Sequence, residues 1–190
     1  MLHTQDIQPL TDEELAQRAR TSPDVYAHLI SRYEDKLSRY IRRIALFSPE
    51  EVEDILQDAF IKTYEHLNDF DATLKFSSWI YRITHNEAIS ALRKRGTVII
   101  SQDETYDEII ENIASTTNHE HEVDSKIQSE QLRNAMGRLP EKYRDVLILK
   151  FLEEKSYEEI SDILRVPIGT VGTLINRAKK QLAPLIQRHL

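Results

Sequence analysis

Signals for the start of an α-helix recur along this chain and restrict its fold more than any other feature. The capping-box spacing, in which a serine or threonine precedes a glutamate by three positions, occurs at Thr11–Glu14, Ser48–Glu51 and Ser156–Glu159. Apolar residues recur at three- and four-residue steps around these signals, which is the period of an amphipathic helix. No stretch of four to eight residues alternates convincingly with a two-residue period, so strands are not expected. The fold is therefore predicted to be all-α.

The first 96 residues are predicted to form a bundle of four helices. These helices should begin after Thr11, at about Val25, after Ser48 and at Ser77 or Ser78. The second helix is long, because its apolar residues keep the helical step as far as Ile44. A polar loop at residues 68–76 separates the third helix from the fourth.

The last 60 residues carry the sharpest local pattern. A helix opens at Ser156, and apolar residues continue at helical steps to Leu174 with Pro167 between them. Because a proline is not tolerated deep inside a helix, Pro167 fits a turn between two helices. The pattern is typical of a helix-turn-helix, whose second helix enters the DNA major groove, and an ordinary helical hairpin is the alternative. From Pro167 onwards the chain has four basic residues and no acidic one, which favours DNA.

Charge is distributed unevenly along the 190 residues, whose formal net charge is −7. Residues 97–130 carry nine acidic side chains and one basic one, whereas residues 131–190 carry 11 basic and seven acidic ones. An acidic total argues against nucleic-acid binding, but here the acid is concentrated in the middle of the chain. We therefore expect two helical domains, 1–96 and 130–190, joined by an acidic linker at 97–129.

The linker holds two weaker signals. A short helix is expected at about Asp107–Ile113. His119 and His121 have a spacing that a metal could use, but without further ligands a solvated linker is the better interpretation.

Several function classes are disfavoured by what the chain lacks. It has no cysteine and four scattered glycines, so thiolate chemistry and a phosphate-binding glycine loop are not expected. No apolar stretch approaches the roughly 20 residues of a membrane span, and the N-terminus has no secretory signal. We expect a cytoplasmic protein that is not an enzyme and needs no cofactor or metal.

Aromatic residues cluster before and within the fourth predicted helix. Six of the 14 aromatic residues lie between positions 60 and 81, and Trp79, Arg82 and Asn86 follow one another at helical steps, with Arg93 and Arg95 beyond. Unpaired bases stack on aromatic rings next to guanidinium groups, and an asparagine amide can pair with a base edge. The first domain is thus a candidate single-strand binder, and the second a candidate duplex binder.

These segments resemble a known family. Residues 54–64 and 76–86 resemble region 2 of bacterial sigma-70-family factors, and residues 139–146, 156–160 and 166–171 resemble region 4. The direct linker between the two regions is similar to that of the small group IV, or extracytoplasmic-function (ECF), sigma factors. The resemblance covers roughly residues 11–95 and 130–183.

The resemblance implies a sigma factor that binds core RNA polymerase, directs it to specific promoters and helps to open the −10 region. It implies docking on the clamp coiled coil of the largest polymerase subunit through Asp54, Gln57, Asp58 and Phe60. It implies contacts with −10 DNA through Phe70, Phe76, Trp79, Arg82, Asn86, Arg93 and Arg95, with Asn86 at an extruded base. It implies contacts with −35 DNA through Thr170, Thr173, Asn176, Arg177, Lys179 and Lys180. Related factors are often held inactive by an anti-sigma protein, so such a partner is also possible.

Two departures from the family pattern concern the −35 helix. Gly172 and Leu174 stand where members of the family often carry arginine, so we expect −35 contacts that are weaker or differently specified, and more selectivity at the −10 element. A stand-alone helix-turn-helix regulator is the alternative function, but it needs only residues 130–190 and leaves the pattern at residues 54–86 unexplained.

Overall fold

The computed structural model describes residues 10–96, 132 and 134–187, and within these ranges it contains helices and no strands. Its helices are α1 (Asp12–Ala19), α2 (Pro23–Ile44), α3 (Pro49–Glu65), α4 (Phe76–Arg95), α5 (Glu141–Leu147), α6 (Tyr157–Leu164) and α7 (Ile168–Gln187). A 3-10 turn at Leu67–Asp69 follows α3, a π-helix at Ile148–Leu152 extends α5, and residues 134–138 are also helical. The all-α prediction is confirmed. The predicted linker at 97–129, its short helix at 107–113, and His119 and His121 lie outside the described residues.

Contacts within the chain divide it into two compact units. Among the described residues, the first unit consists of residues 10–41 and 47–95, and the second of residues 42–46, 96, 132 and 134–187.

The three predicted capping boxes are present. In each, the glutamate side chain accepts a hydrogen bond from the backbone N–H of the cap residue, at 2.8 Å for Thr11, 2.7 Å for Ser48 and 2.9 Å for Ser156. The cap hydroxyl accepts in return from the backbone N–H of its glutamate, so two N–H groups that lack helical partners are satisfied at each start. Each cap contributes about 1 kcal/mol to the stability of its helix.

The start of α4 differs from the prediction. The helix begins at Phe76 rather than at Ser77 or Ser78. The backbone N–H of Phe76 donates to the Glu13 carboxylate at 2.9 Å, so the capping group comes from α1, 63 residues earlier in the chain. A cap from a distant element leaves no local sequence signal.

The core of the first unit lies among its four helices. α4 packs against α1 and α3, and the 3-10 turn packs against the same two helices. The fully buried side chains of this unit include Leu15, Leu29, Leu37, Tyr40, Ile41, Leu67, Phe76 and Ile80. Burial of each large apolar side chain contributes about 1.5–3 kcal/mol, so these residues dominate the stability of the unit.

The second unit contains the predicted helix-turn-helix. α7 packs against both α5 and α6. Pro167 lies in the turn between α6 and α7, as predicted. Arg165 in this turn has a left-handed backbone with φ of 53°, and the Ser161 hydroxyl donates to the Val166 carbonyl at 2.6 Å. Val171 on α7 is fully buried and fixes which face of this helix points outward.

Candidate nucleic-acid interface and partner surface

An aromatic cluster supports the start of α4. Ring centroids lie 5.4 Å apart between Phe70 and Phe76, 5.2 Å between Phe70 and Trp79, and 5.6 Å between Phe76 and Trp79. Phe70 and Phe76 are buried, whereas Trp79 is half-buried. The expectation of direct DNA contact therefore does not fit Phe70 and Phe76, because their ring faces are occupied by neighbouring rings. The structure instead places them beneath Trp79.

Beyond the cluster, α4 presents a strip of side chains that we call the α4 face, consisting of Trp79, Arg82, Asn86 and Arg93. Steps of three, four and seven residues place these positions on one side of a helix. Asn86 and Arg93 are exposed, and Arg82 is half-buried. Arg95 is exposed too, and its guanidinium lies 3.5 Å from the Glu51 carboxylate on α3.

The opposite side of α4 is fixed by polar contacts within the core. The Tyr40 hydroxyl and His85 Nδ1 lie 2.9 Å apart in a buried pair. The buried Thr84 hydroxyl donates to the Ile80 carbonyl at 3.0 Å. The Thr84 bond lies within α4, whereas the Tyr40–His85 pair joins α4 to α2 and so helps to set the rotation of the helix that carries Asn86.

One side of α3 borders an open groove. Asp54, Gln57 and Asp58 are exposed, and Phe60 is half-buried. Between α2 and α3 lies a groove of about 870 Å³, and it is lined by Gln57 and Phe60, by the apolar or aromatic side chains of Tyr26, Ile30, Leu56, Ile61 and Tyr64, and by Pro23, Glu34, Glu53 and Glu65. Ile61 and Tyr64 are 49% and 45% exposed, which is unusual for large apolar groups. Ile61 and Tyr64 are not among the residues predicted from the sequence, although they follow Gln57 by four and seven positions, which is a helical spacing that the sequence shows.

The other side of α3 borders an acidic depression. Asp54 and Asp58 line it together with Glu51 and Glu87, and Lys94 lies at the same depression. α3 therefore has apolar and aromatic side chains along one side, where Glu53 and Glu65 also lie, and mainly carboxylates along the other. A surface of this kind complements a partner with both apolar and basic side chains.

The outward side of α7 carries the predicted duplex-binding residues. Thr173, Asn176, Arg177 and Lys180 are exposed, and Thr170 is half-buried. Lys179 is half-buried, with its Nζ 4.9 Å from the centre of the Phe151 ring, and burial lowers the pKa of Lys179. The sequence of α7 contains no acidic residue, so no carboxylate on this helix opposes phosphate.

Gly172 lies on α7 beside an aromatic ring. A Cβ atom at this position would meet Cε2 of Tyr157 at 3.4 Å, which is an ordinary contact distance. Tyr157 is 40% exposed, and Lys150 Nζ lies 5.4 Å from its ring centre. Leu174 is half-buried, as expected for a residue that contributes to packing. The space around Gly172 therefore accepts a side chain.

The parts of the chain that the structure describes hold neither a metal-binding cluster nor a membrane-spanning helix. No group of three or more His, Cys, Asp or Glu side chains there could hold a metal ion. None of the described helices combines the length and apolar character needed to cross a bilayer.

Comparison with known proteins identifies the class of this two-unit helical chain. Residues 29–98 match the family model for sigma-70 region 2, and residues 129–182 match the model for sigma-70 region 4. The ECF RNA polymerase sigma factor SigW of Bacillus subtilis is 34% identical over 178 residues, covering 90% of this chain and 93% of that protein. The ECF RNA polymerase sigma-E factor of Escherichia coli K12 is 34% identical over 191 residues, covering 94% and 98%. The chain belongs to the ECF sigma factors of the sigma-70 family.

Solved structures share the fold. CnrH, solved in complex with the cytosolic domain of CnrY, aligns with a TM-score of 0.68 at 21% identity, covering 93% of this chain and 97% of CnrH. The sigma factor RpoE of Bartonella quintana, solved with the anti-sigma factor NepR, aligns with a TM-score of 0.60 at 20% identity, covering 85% and 96%. Family membership confirms the function predicted from the sequence, a sigma factor that directs RNA polymerase to promoters, and a stand-alone regulator is not favoured.

Proposed function

We propose that the sigma-factor activity of this chain is divided among three surfaces: α3 binds core polymerase, the α4 face captures a base of the −10 element, and α7 contacts the −35 element. The observation that carries the proposal is the α4 face itself. There an indole ring, a guanidinium group and an amide lie along one side of a single helix, with buried phenylalanines beneath the indole ring.

Base capture is the step that this face suits best. Extruding a base from a duplex costs a few kcal/mol, and stacking on an aromatic ring recovers about 1–3 kcal/mol. Stacking on Trp79 therefore offsets much of the free energy of extrusion. Because every base can stack, this contact contributes little to the preference for one base over another. The Asn86 amide supplies that choice, because it offers both a donor and an acceptor to a base edge. Arg82, Arg93 and Arg95 hold phosphates of the displaced strand, while Phe70 and Phe76 support Trp79 from below.

Polymerase binding is assigned to the exposed side of α3. Asp54 and Asp58 provide negative charge, and Gln57 and Phe60 border the apolar groove. A coiled coil with basic and apolar side chains fits this pattern, and the family resemblance names the clamp coiled coil of the largest polymerase subunit. We add Ile61 and Tyr64 to this surface because they are exposed on the same groove.

Contact with the −35 element is assigned to α7. In this proposal Thr170, Thr173 and Asn176 contact base edges, and Arg177, Lys179 and Lys180 contact phosphates. The absence of acid in the α7 sequence supports this assignment. An anti-sigma protein is a further proposed partner, as the family resemblance implies.

Two substitutions test the division between α3 and α4 in holoenzyme made with bacterial core RNA polymerase. We expect Asp58→Arg to weaken binding to core polymerase by about tenfold or more, because it places a cation on an acidic surface. Asp35→Arg makes the same charge change at an exposed position of α2 and should bind core polymerase like the wild type.

The second substitution is Asn86→Ala, measured by selection from fork-junction DNA whose single-stranded non-template segment is randomised. It should lower base enrichment at one position by about tenfold, because a paired amide gives about 1–3 kcal/mol of discrimination. Its binding to core polymerase should not change. Gln17→Ala, which removes an exposed amide from α1, serves as the control. Unchanged enrichment with Asn86→Ala would contradict the assignment of the α4 face.

A further inference from the structure

The segment between α3 and α4 is held at both ends by α1. This segment, residues 67–76, leads from the 3-10 turn to the first residue of α4. α1 covers Asp12–Ala19 and lies outside the match to the region 2 family model, which begins at residue 29. Its contacts with the segment come from Arg20, at the end of α1, and from Glu13, in its first turn.

Arg20 binds two backbone carbonyls of the segment at once. Its Nε donates to the Leu67 carbonyl at 3.2 Å, and its Nη2 donates to the Phe70 carbonyl at 2.6 Å. A planar guanidinium offers several N–H donors in a fixed fork, so one side chain can fix the distance between two acceptors. A lysine carries its three donors on one nitrogen at the end of a flexible stem, so it lacks the rigid fork that fixes the spacing of the two carbonyls.

Glu13 fixes the other end of the segment. Its carboxylate accepts the backbone N–H of Phe76 at 2.9 Å. The first N–H groups of a helix lack helical partners, and the helix dipole makes that end attractive to negative charge. Glu13 therefore sets where α4 begins and where the Phe76 ring enters the core.

Between the two anchors the segment folds into a tight turn. The Asp71 carboxylate accepts the Thr73 backbone N–H at 2.9 Å and the Thr73 hydroxyl at 2.8 Å. The Leu74 N–H donates to the Asp71 carbonyl at 3.0 Å. The residues at the two anchors, Phe70 and Phe76, are the same residues whose rings lie against Trp79. A displacement at either anchor is therefore transmitted to the indole ring.

We propose that Arg20 and Glu13 are positioning residues for base capture at the −10 element, so that α1 is part of the promoter-recognition apparatus. The proposal rests on the function assigned above to the α4 face. Its physical basis is preorganisation: a segment already held in its binding conformation loses less conformational entropy when the base binds. Arg20 and Glu13 act through Trp79 and need not touch DNA.

Two other roles for Arg20 make different predictions. If Arg20 only stabilises the fold, its substitution lowers the thermal midpoint, core binding and base selection together. If Arg20 contacts a phosphate directly, a substitution that removes its charge weakens DNA binding equally for every sequence, whereas Arg20→Lys keeps the charge. If Arg20 positions the 67–76 segment, its substitution lowers the base preference while binding to core polymerase is retained.

The test uses the full chain in holoenzyme with bacterial core RNA polymerase and the randomised fork-junction DNA described above. The variants are Arg20→Lys, which loses the two-carbonyl bridge, Glu13→Ala, which loses the cap, and Glu13→Gln, which keeps a carbonyl oxygen as acceptor. Arg18→Lys, at an exposed arginine of α1, is the control. For each protein we would measure core affinity, the thermal midpoint and the enrichment of each base at each randomised position.

We expect Arg20→Lys and Glu13→Ala to lower the enrichment of the preferred base by about three- to tenfold, which corresponds to the net contribution of one ordinary hydrogen bond. Core affinity should stay near that of the wild type, and the thermal midpoint should fall by only a few degrees, as expected for the loss of about 1 kcal/mol from one cap or side-chain hydrogen bond. Glu13→Gln should recover part of the enrichment, and Arg18→Lys should match the wild type.

Three results would overturn the positioning role. Wild-type enrichment in both Arg20→Lys and Glu13→Ala would overturn it alone and leave the function of the α4 face intact. A joint loss of enrichment, core binding and thermal stability would assign the two residues to general folding. A wild-type holoenzyme that binds core polymerase but selects no base would overturn the proposed function and the positioning role together.

Discussion

The two surfaces that we propose bind DNA are built in different ways. α7 packs on α5 and α6, which immediately precede it in the chain, and a capping box at Ser156 and a turn at Pro167 mark the start of α6 and of α7. The α4 face depends on contacts between segments far apart in the chain, including Glu13 with Phe76 and Arg20 with Phe70. The proposed duplex-binding helix is thus held by segments that lie close to it in the sequence. The proposed base-capturing face is held in place by residues that lie far from it in the sequence.

The largest effect should come from removing the support beneath Trp79. Phe76→Ala deletes a fully buried ring and should lower the free energy of unfolding of the first unit by about 3–5 kcal/mol. Because Trp79 is the single tryptophan of the chain, its fluorescence reports the unfolding of this unit in urea. Leu182→Ala, at a fully buried position of α7, should leave this fluorescence transition in place. A loss below about 1 kcal/mol in Phe76→Ala would contradict the supporting role.

The second prediction concerns how the free energy of unfolding of the second unit depends on pH. Burial raises the pKa of Asp145 to about 7, with Arg144 acting in the opposite direction. The folded state therefore binds the proton more tightly than the unfolded chain, whose aspartate has a pKa of about 3.9. Stability should fall as pH rises from about 4 to about 7, by up to about 1.4 kcal/mol per pH unit.

Denaturation of the second unit, followed by circular dichroism across this pH range, measures that slope. Asp145→Asn should flatten it, because the amide does not titrate. Asp162→Asn, at an exposed position of α6, should leave it unchanged. Equal slopes for the wild type and Asp145→Asn would rule out Asp145 as the source.

The smallest expected effect is a change in DNA affinity when Gly172 is replaced. It tests how α7 binds DNA, independently of the α4 face. Gly172→Arg adds a cation to α7 beside Tyr157 and removes a glycine, whose helix propensity is about 0.8–1 kcal/mol less favourable than that of alanine. Since a Cβ atom there meets Tyr157 at an ordinary distance, the helix should accept the change. We expect tighter binding of holoenzyme to duplex −35 DNA, by a few-fold, with a steeper dependence on salt. Gly172→Gln separates the effect of helix propensity from that of charge, and equal affinities for the two variants would exclude a new phosphate contact.

Much of the fold could be predicted from the sequence, because helix caps and turns depend on residues that are close together in the chain. The capping boxes at Thr11, Ser48 and Ser156 and the turn at Pro167 lie where they were predicted. The start of α4 was predicted one or two residues late, because its cap is supplied from α1.

Only part of the candidate site could be predicted from the sequence. Residue types and helical steps placed Trp79 and Asn86 on one helix, but they could not show that Phe70 and Phe76 face inward. Burial depends on which segments pack together, and the rings of Phe70 and Phe76 meet only after α1, the 67–76 segment and α4 have assembled. The exposure of Ile61 on the groove beside α2 depends in the same way on how two helices pack.

The central claim is that the α4 face captures one unpaired base, and 2-aminopurine placed at successive positions of the single-stranded non-template segment tests it most directly. In holoenzyme, we predict one position at which the fluorescence of this base analogue changes on binding, with the change lost in Trp79→Ala and reduced in Asn86→Ala. Fluorescence changes that are the same in wild type, Trp79→Ala and Asn86→Ala at every position would contradict the claim.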